Sequence, residues 1–201
     1  MEKNISENHI KYLERVSFYQ SFGYDIEKEK CFILDKSLPI CGNILEIGTG
    51  KGYFAIALAK RGFSFSSIDI SKEEQRIAKL NIQYYGFEEQ VILKTEDAER
   101  LSFPNQSFDT IFSINVFHHL KNPIAVLDEI IRLLRSSGKV VISDFNEKGL
   151  EIINMCHTHE GRKHDYFKNR LDEAKNYFVN KGFDVNEFQG EIQRVIIAGN
   201  K

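Results

Sequence analysis

The sequence predicts an α/β domain, in which an open and mostly parallel sheet carries helices on both faces. Short apolar runs, typical of buried strands, alternate with longer segments of helical periodicity between residues 44 and 143. The first strand–helix junction also carries glycine at positions 48, 50 and 52, and such turns bring the backbone close to a ligand. With 201 residues and 42% hydrophobic content, we expect a single domain, 1–201.

Residues 1–38 precede the first predicted strand, and their pattern predicts helices that cover the core. Apolar side chains recur with a loose helical period between residues 5 and 21, and Gly23 is expected to end that helix. A charged stretch and a second short apolar run follow. We therefore divide the chain into the cover, 1–38, and a core, 39–143.

Within the core, strands and helices are expected to alternate. The expected strands are 44–47, 63–70, 91–93, 110–114 and 139–143. A capping box, Ser71-x-x-Glu74, should open one helix and Pro123 another. The residues expected to end helices are Gly62, Gly86 and the run Ser136-Ser137-Gly138.

Two further segments follow the fifth predicted strand. Residues 144–166 are expected to form an insertion that contains a helix around Ile152. Residues 167–201 predict a helix that stops at Gly182 and two strands with alternating polarity, joined by a turn at Gly190.

The glycine turn does not match the common phosphate-binding motifs. A P-loop would need glycine at position 45, which is Leu, and Ser or Thr after Lys51, where Gly52 stands. The dinucleotide fingerprint would place its third glycine at position 53, which is Tyr. The pattern that remains, Glu46-x-Gly48-x-Gly50-x-Gly52, resembles motif I of the class I S-adenosylmethionine-dependent methyltransferases.

This resemblance implies a Rossmann-like methyltransferase fold, with a seven-stranded, mostly parallel sheet and an antiparallel last strand. It implies S-adenosyl-L-methionine as cofactor and S-adenosyl-L-homocysteine as product. Asp69 would accept from the ribose hydroxyls, Asp97 and Ala98 would meet the adenine, and Asn115 would face the methionine. The implied cofactor-binding residues are Glu46, Gly48, Thr49, Gly50, Gly52, Asp69, Ile70, Asp97, Ala98 and Asn115. Asp69 and Asp97 could instead be a cap and a turn residue.

Five residues are candidates for the substrate side of the site. In similar methyltransferases an N-terminal extension covers the cofactor and substrate entrance, so Tyr19 and Tyr24 could line it, although they could simply cover the sheet. The other three are His157, Glu160 and His164, in a polar segment expected to lie over the pocket.

His118 and His119 are the candidate catalytic residues, because they follow the fourth predicted strand, where α/β folds place ligand-facing groups. A histidine can serve as a general base there. A structural hydrogen-bonding role is the alternative for each.

A metal site is not expected. On a continuous helix His157, Glu160 and His164 would share a face, but Gly161 weakens such a helix and an HExxH pattern is absent. The odd count of three cysteines, without a CxxC pair, also argues against a cysteine-rich zinc site.

Composition and sequence motifs narrow the classes of binding partner and substrate. The net charge of −2 provides no global attraction for nucleic acid or an anionic membrane. The sequence lacks an apolar run of membrane-spanning length and signal-peptide features, so we expect a cytoplasmic protein. The Asn/Asp-Pro-Pro-Tyr/Phe signature of DNA-base and protein-glutamine methyltransferases is replaced by Asn115-Val116-Phe117-His118.

The function predicted from the resemblance is methyl transfer by in-line displacement to a small-molecule acceptor that the sequence does not identify. Two alternatives stay open. One is a regulatory protein that binds S-adenosylmethionine without catalysis. The other is a metal- or metalloid-handling methyltransferase that uses residues 156–164.

Overall fold

The computed structural model describes residues 2–161, 163 and 165–199. The helices are α1 Glu2–Ser21, α2 Ile26–Lys36, α3 Tyr53–Lys60, α4 Lys72–Tyr84, α5 Pro123–Leu133, α6 Glu147–His159 and α7 Arg170–Asn180. The strands are β1 Ile44–Ile47, β2 Phe65–Asp69, β3 Val91–Thr95, β4 Phe108–Ile114, β5 Leu134–Phe145, β6 Asp184–Gln189 and β7 Gln193–Gly199. A short 3₁₀ helix, Phe117–His119, follows β4.

The strands form one seven-stranded sheet in the order β3-β2-β1-β4-β5-β7-β6. Neighbouring strands from β3 to β5 are parallel, whereas β7 runs antiparallel to both β5 and β6. The strand order reverses direction at β1, because β2 lies on one side of β1 and β4 on the other. Ligands bind beside such a switch point, at the carboxyl ends of the strands. The predicted mixed sheet with an antiparallel last strand is therefore confirmed.

Each face of the sheet is covered by its own group of helices, because alternate strand residues point to opposite faces. Ile111 and Val140 pack with α5 and α7, whereas Phe112 and Val141 pack with α2, α3 and α4 and with Tyr12 of α1. A third cluster joins α1 and α2 to α6 through Tyr19, Tyr24, Ile26, Ile152, Ile153, Cys156 and Ile192. The cover therefore packs against one face of the sheet, against α6 and against the turn before β7.

The cover contains two helices, and its second helix extends beyond the short apolar run seen in the sequence. Asp25 caps α2 by accepting from the backbone N–H of Lys28 at 3.0 Å, and Glu27 and Glu29 lie in its first turn. Acidic residues there favour the helix N-terminus. Ile33 and Leu34 then bury the inner face of α2 against α3 and the sheet.

The prediction that Ser136-Ser137-Gly138 ends a helix is wrong. Helix α5 ends at Leu133, and β5 begins at Leu134, which pairs with Phe108. The register then shifts, so that Thr110 pairs with Lys139. Gly138 is needed for close packing, because a Cβ there would lie 3.0 Å from the carbonyl oxygen of Asp109.

The insertion does not form a continuous helix across 157–164. Asn146 caps α6 through the backbone N–H of Gly149, and α6 ends at His159, with Glu160 as its C-cap and Gly161 at a φ of +68°. His157 and Glu160 therefore lie at the last turn. His164 lies outside the described residues.

Candidate active site

The glycine turn after β1 keeps its backbone donors inside the protein. The amides of Gly48 and Thr49 donate to the carbonyl oxygen of Ile68, and the amide of Gly52 donates to the carbonyl oxygen of Thr49. The amide of Gly50 donates to Asp69 Oδ2 at 2.8 Å. A phosphate cradle needs such amides for its ligand, so this arrangement argues against a polyphosphate ligand.

Gly48 could not be replaced by a larger residue without a collision. Its φ is +90°, and a Cβ built on it would lie 2.1 Å from Cγ2 of Val116. The turn after β1 and the turn after β4 therefore contact each other at Gly48, and this contact sets the distance between them.

Glu46 lies buried beneath the turn, at the end of a chain of polar side chains. Ser67 donates to Glu46 Oε2 at 2.5 Å, and the Ser67 and Thr49 hydroxyls lie 2.6 Å apart. Gln75 in turn donates to the Thr49 hydroxyl at 2.9 Å. Burial raises the pKa of Glu46 to about 8, against the opposing effect of the Ser67 hydrogen bond.

Asp69 stands at the end of β2 and joins two turns. One carboxylate oxygen accepts from Gly50, and Oδ1 accepts from the backbone N–H of Ser71 at 2.8 Å. Each oxygen retains a second lone pair for a ligand hydroxyl. Ile70 is 69% exposed beside it.

Asp97 is exposed and accepts from the backbone N–H of Glu99 at 3.0 Å, which is the turn role that the sequence left open. Ala98 is half-buried and packs against the core. Both residues follow β3, and two strands, β2 and β1, separate β3 from β4, whose following turn carries the predicted histidines.

A small cavity of about 190 Å³ opens between the glycine turn and the cover. It brings together seven of the predicted site residues, namely Tyr19, Tyr24, Glu46, Gly48, Thr49, Gly50 and Asn115. Glu29 and Lys30 of α2, Tyr53 of α3 and Gln193 of β7 also line it. Among the described residues, Gly52, Asp69, Ile70, Asp97 and Ala98 stand outside this lining.

Asn115 follows β4 in a left-handed conformation, with a φ of 58° that asparagine tolerates better than most residues. Its side-chain oxygen accepts from Gln193 at 2.9 Å, and its amide nitrogen lies 3.4 Å from the Tyr24 hydroxyl. Asn115 thus connects Tyr24 of the cover to the end of β4 and the start of β7.

His118 is held by Asp144, a residue that the sequence analysis missed. The Nδ1 atom of His118 lies 2.5 Å from Asp144 Oδ1, and the His118 backbone N–H donates to Asp144 Oδ2 at 2.9 Å. Both side chains are buried. A usable signal was present, since His118 follows β4 and Asp144 lies at the end of the adjacent parallel strand β5, and the carboxyl ends of parallel strands meet at one side of the sheet.

His118 and Asp144 line a second and larger cleft of about 680 Å³. Its other walls come from α6, from residues 166–169, from the start of α7 and from Arg194 of β7. Phe145 lines this cleft and contacts a residue of each cavity, because its ring lies 5.5 Å from the Tyr24 ring and 5.6 Å from the His118 ring, measured between centroids.

The second catalytic candidate, His119, and the substrate-side candidates His157 and Glu160 lie outside both linings. The ring of His119 lies 3.9 Å from that of His118, tilted by 49°, and its Nδ1 lies 3.2 Å from the carbonyl oxygen of Asp165. Partial burial and the neighbouring His118 lower the pKa of His119. Glu160 forms an ion pair with Arg15 at 3.2 Å, and His157 is half-buried on the last turn of α6.

No group of three or more potential metal ligands is found in the described part of the chain. None of the described helices is long and apolar enough to cross a membrane.

A methyltransferase-domain family matches residues 10–187 of this chain. The match covers more than half of the sequence, including every strand up to most of β6. The chain belongs to the class I S-adenosylmethionine-dependent methyltransferases. The predicted family and cofactor class are confirmed, and an enzyme of this class is what the family indicates.

Individual relatives agree with this assignment. The chain is 34% identical over 116 residues to a ubiquinone biosynthesis O-methyltransferase of Aeromonas salmonicida, covering 57% of this chain and 48% of that protein. It is 32% identical over 101 residues to a phosphatidylethanolamine N-methyltransferase of Cereibacter sphaeroides, covering 50% and 49%. The chain spans about half the length of these curated relatives.

A solved structure shares the fold over nearly the whole chain. The protein is from Methanococcus maripaludis and is described as an S-adenosyl-L-methionine-dependent methyltransferase. Its TM-score is 0.73 at 21% identity, and the match covers 95% of this chain and 91% of that chain.

Proposed function

We propose that this chain transfers a methyl group from S-adenosylmethionine to the hydroxyl of a small molecule, which binds in the larger cleft, with His118 as general base. The observation that carries this proposal is the buried His118–Asp144 pair at the wall of that cleft, which is linked to the small cavity through the contact of Phe145 with Tyr24. The 34% identity to a ubiquinone biosynthesis O-methyltransferase supports an oxygen acceptor.

The residues of the small cavity suit this cofactor. Its α-ammonium group and its sulfonium are cationic, so these two groups need acceptors rather than donors. The turn amides are engaged within the protein, while Glu29 and Glu46 supply carboxyl groups and Asn115 an amide. We assign the ribose hydroxyls to Asp69 and the adenine to the region of Ile70, Asp97 and Ala98, beyond the cavity.

The protein's main task is alignment. When bound, S-adenosylmethionine supplies a methyl group on a positively charged sulfur, which is already an electrophile. The chain therefore has to orient an acceptor and keep water away. Tyr19, Tyr24 and Phe145 pack against one another beside the two cavities, and these aromatic side chains would keep water away from the reacting groups.

His118 is oriented to remove a proton from the acceptor. Because its Nδ1 proton is shared with Asp144, the neutral ring carries its accepting lone pair on Nε2. Asp144 is itself fixed by the backbone N–H groups of His118 and Phe145, at 2.9 Å each. This fixed carboxylate would stabilise the imidazolium after proton transfer. We assign His119 a supporting role, in which its ring packs against the His118 ring and keeps it in place.

A transfer assay tests the proposal. Methyl-labelled S-adenosylmethionine would be incubated with phenols, catechols, aliphatic alcohols, amines and thiols, and S-adenosylhomocysteine would be quantified by mass spectrometry. We expect turnover with a hydroxyl acceptor and its loss in His118→Gln. Turnover only with amines, undiminished in that variant, would contradict the proposed chemistry. Tight cofactor binding without any turnover would favour the regulatory alternative.

The restriction to small-molecule acceptors, the exclusion of nucleic acid and the cytoplasmic location stay predictions. A candidate RNA added to the same assay, and fractionation of cells that express the protein, would test them.

A further inference from the structure

Glu29 is a charged side chain in the interior of the cover, and one of its oxygen atoms lacks a hydrogen-bond partner. The residue is 5% exposed and lies on α2, where it lines the small cavity. Among the described residues, its Oε2 atom is buried without any partner. A buried carboxylate oxygen without a donor is costly, so a cationic or donating ligand at this place would lower the free energy of the protein.

The backbone N–H of Ile192, in the turn before β7, lies next to the Glu29 carboxylate and lowers the pKa of that group, against the effect of burial. This contact joins α2 to the β6–β7 turn. Burial raises the pKa of Glu29 and the nearby Glu191 raises it further, so the site favours a partner that brings positive charge.

The cations nearest in sequence are already committed to other carboxylates. Lys30 lines the same cavity but pairs with Glu27 at 3.0 Å and lies over the Tyr53 ring. Lys28 pairs with Glu191 at 2.7 Å near the surface. Within the described part of the chain, the ion pairs do not include Glu29. The second buried carboxyl group of the cavity, that of Glu46, already has its Ser67 partner.

We propose that Glu29 binds the α-ammonium group of the cofactor's amino-acid moiety through Oε2. This inference rests on the proposed function, because it assumes that the small cavity receives that end of S-adenosylmethionine. A cavity of about 190 Å³ is small enough that a charged head group inside it lies close to every wall. The ammonium brings three donors and a charge to the position where an acceptor lacks a donor.

Glu29 then gives the cover a defined part in cofactor recognition. The glycine turn and Asp69 belong to the core, whereas Glu29 comes from a helix that precedes β1. Ligands that carry the ammonium group would be selected over truncated adenosine sulfides, and only when α2 is docked on the β6–β7 turn.

Calorimetric titration with three probes tests this assignment. The probes are S-adenosylhomocysteine, its deaminated analogue, which keeps the carboxylate, and methylthioadenosine, which lacks the whole amino-acid chain. For the wild type we expect the tightest binding with S-adenosylhomocysteine. In Glu29→Gln its affinity should fall about 10- to 100-fold, as expected for loss of a charge-assisted hydrogen bond. The affinities for the deaminated analogue and for methylthioadenosine should stay within about twofold of the wild type.

Asp35→Asn is the matched control. It removes an acidic residue of the same helix, one that pairs with Arg61 at the surface, and it should leave all three affinities unchanged. Equal losses for S-adenosylhomocysteine and its deaminated analogue in Glu29→Gln, or no loss for either, would overturn the assignment. If the wild type binds none of the three probes, the proposed function itself fails.

Discussion

The small cavity and the larger cleft are lined by different kinds of groups. The small cavity is walled by the glycine turn, by the ends of β1 and β4 and by buried side chains such as Glu46. The larger cleft is walled by long polar side chains of α6, of residues 166–169 and of α7. We infer that the small cavity, with its fixed turn and buried groups, receives the constant cofactor, whereas the side chains of the larger cleft select the acceptor.

The largest expected effect is a loss of kcat on substitution at the larger cleft, without a change in cofactor binding at the small cavity. His118→Gln should lower kcat about 10²- to 10⁴-fold with a hydroxyl acceptor, because the general base is lost. The affinity for S-adenosylhomocysteine should stay unchanged, since His118 lines only the larger cleft. The measurement is steady-state kinetics with the acceptor found in the transfer assay, together with a cofactor titration.

His119→Gln is the control for that substitution, and less than about a tenfold loss of kcat is expected because its ring only supports its neighbour. Asp144→Asn should lower kcat about 100-fold, since the amide no longer fixes the His118 tautomer. Equal losses of kcat in His118→Gln and His119→Gln would remove the distinction between the two histidines.

The next effect tests whether backbone geometry forms the small cavity. Gly48→Ala should lower the free energy of unfolding by about 2 to 4 kcal/mol, as strain at positive φ and a steric collision add together. Gly62→Ala is the matched control, because Gly62 has a φ of +86° and nothing within 4 Å of a built Cβ. It should cost only about 1 kcal/mol.

Denaturant unfolding measures both variants, and Val116→Ala should recover the collision part of the Gly48→Ala cost. A Gly48→Ala protein no less stable than Gly62→Ala would show that the contact with Val116 does not constrain the turn.

The last effect concerns the pH dependence of stability that the buried carboxyl group of the small cavity causes. The pKa of Glu46 lies near 8 in the folded protein and near 4.5 ordinarily. Between these values the unfolded chain releases a proton that the folded chain keeps, so the free energy of unfolding falls as the pH rises. The slope is at most about 1.4 kcal/mol per pH unit.

Glu46→Gln should remove this part of the slope when unfolding is followed at several pH values between 5 and 8. The exposed Glu99, changed to Gln, should leave the slope as in the wild type. A slope unchanged in Glu46→Gln would mean that Glu46 is ionised throughout this range.

The sequence predicted the core better than the surroundings of the larger cleft. The glycine turn, the end of β2 at Asp69 and the cap at Ser71 depend on local backbone chemistry, which residue type and spacing reveal. Seven predicted residues meet at the small cavity for the same reason. The roles assigned to them stay predictions until ligands are measured.

Asp144 shows why the rest was missed. An aspartate between a strand and a helix is indistinguishable in sequence from a turn residue, and only the pairing of β4 with β5 brings it to His118. The start of β5 was misplaced for a similar reason, because Gly138 resembles a helix stop although its actual constraint is the nearby backbone of Asp109.

The most direct test of the account is calorimetric titration of the purified protein with S-adenosylmethionine and S-adenosylhomocysteine, with NAD and ATP as controls, for the wild type and Asp69→Ala. We predict selective binding of the two adenosyl sulfur compounds. In Asp69→Ala their affinity should fall about 10- to 100-fold through loss of charge-assisted hydrogen bonds, with thermal unfolding recorded to confirm that the variant is folded. Preference for NAD or ATP, or an unchanged affinity in Asp69→Ala, would contradict the account.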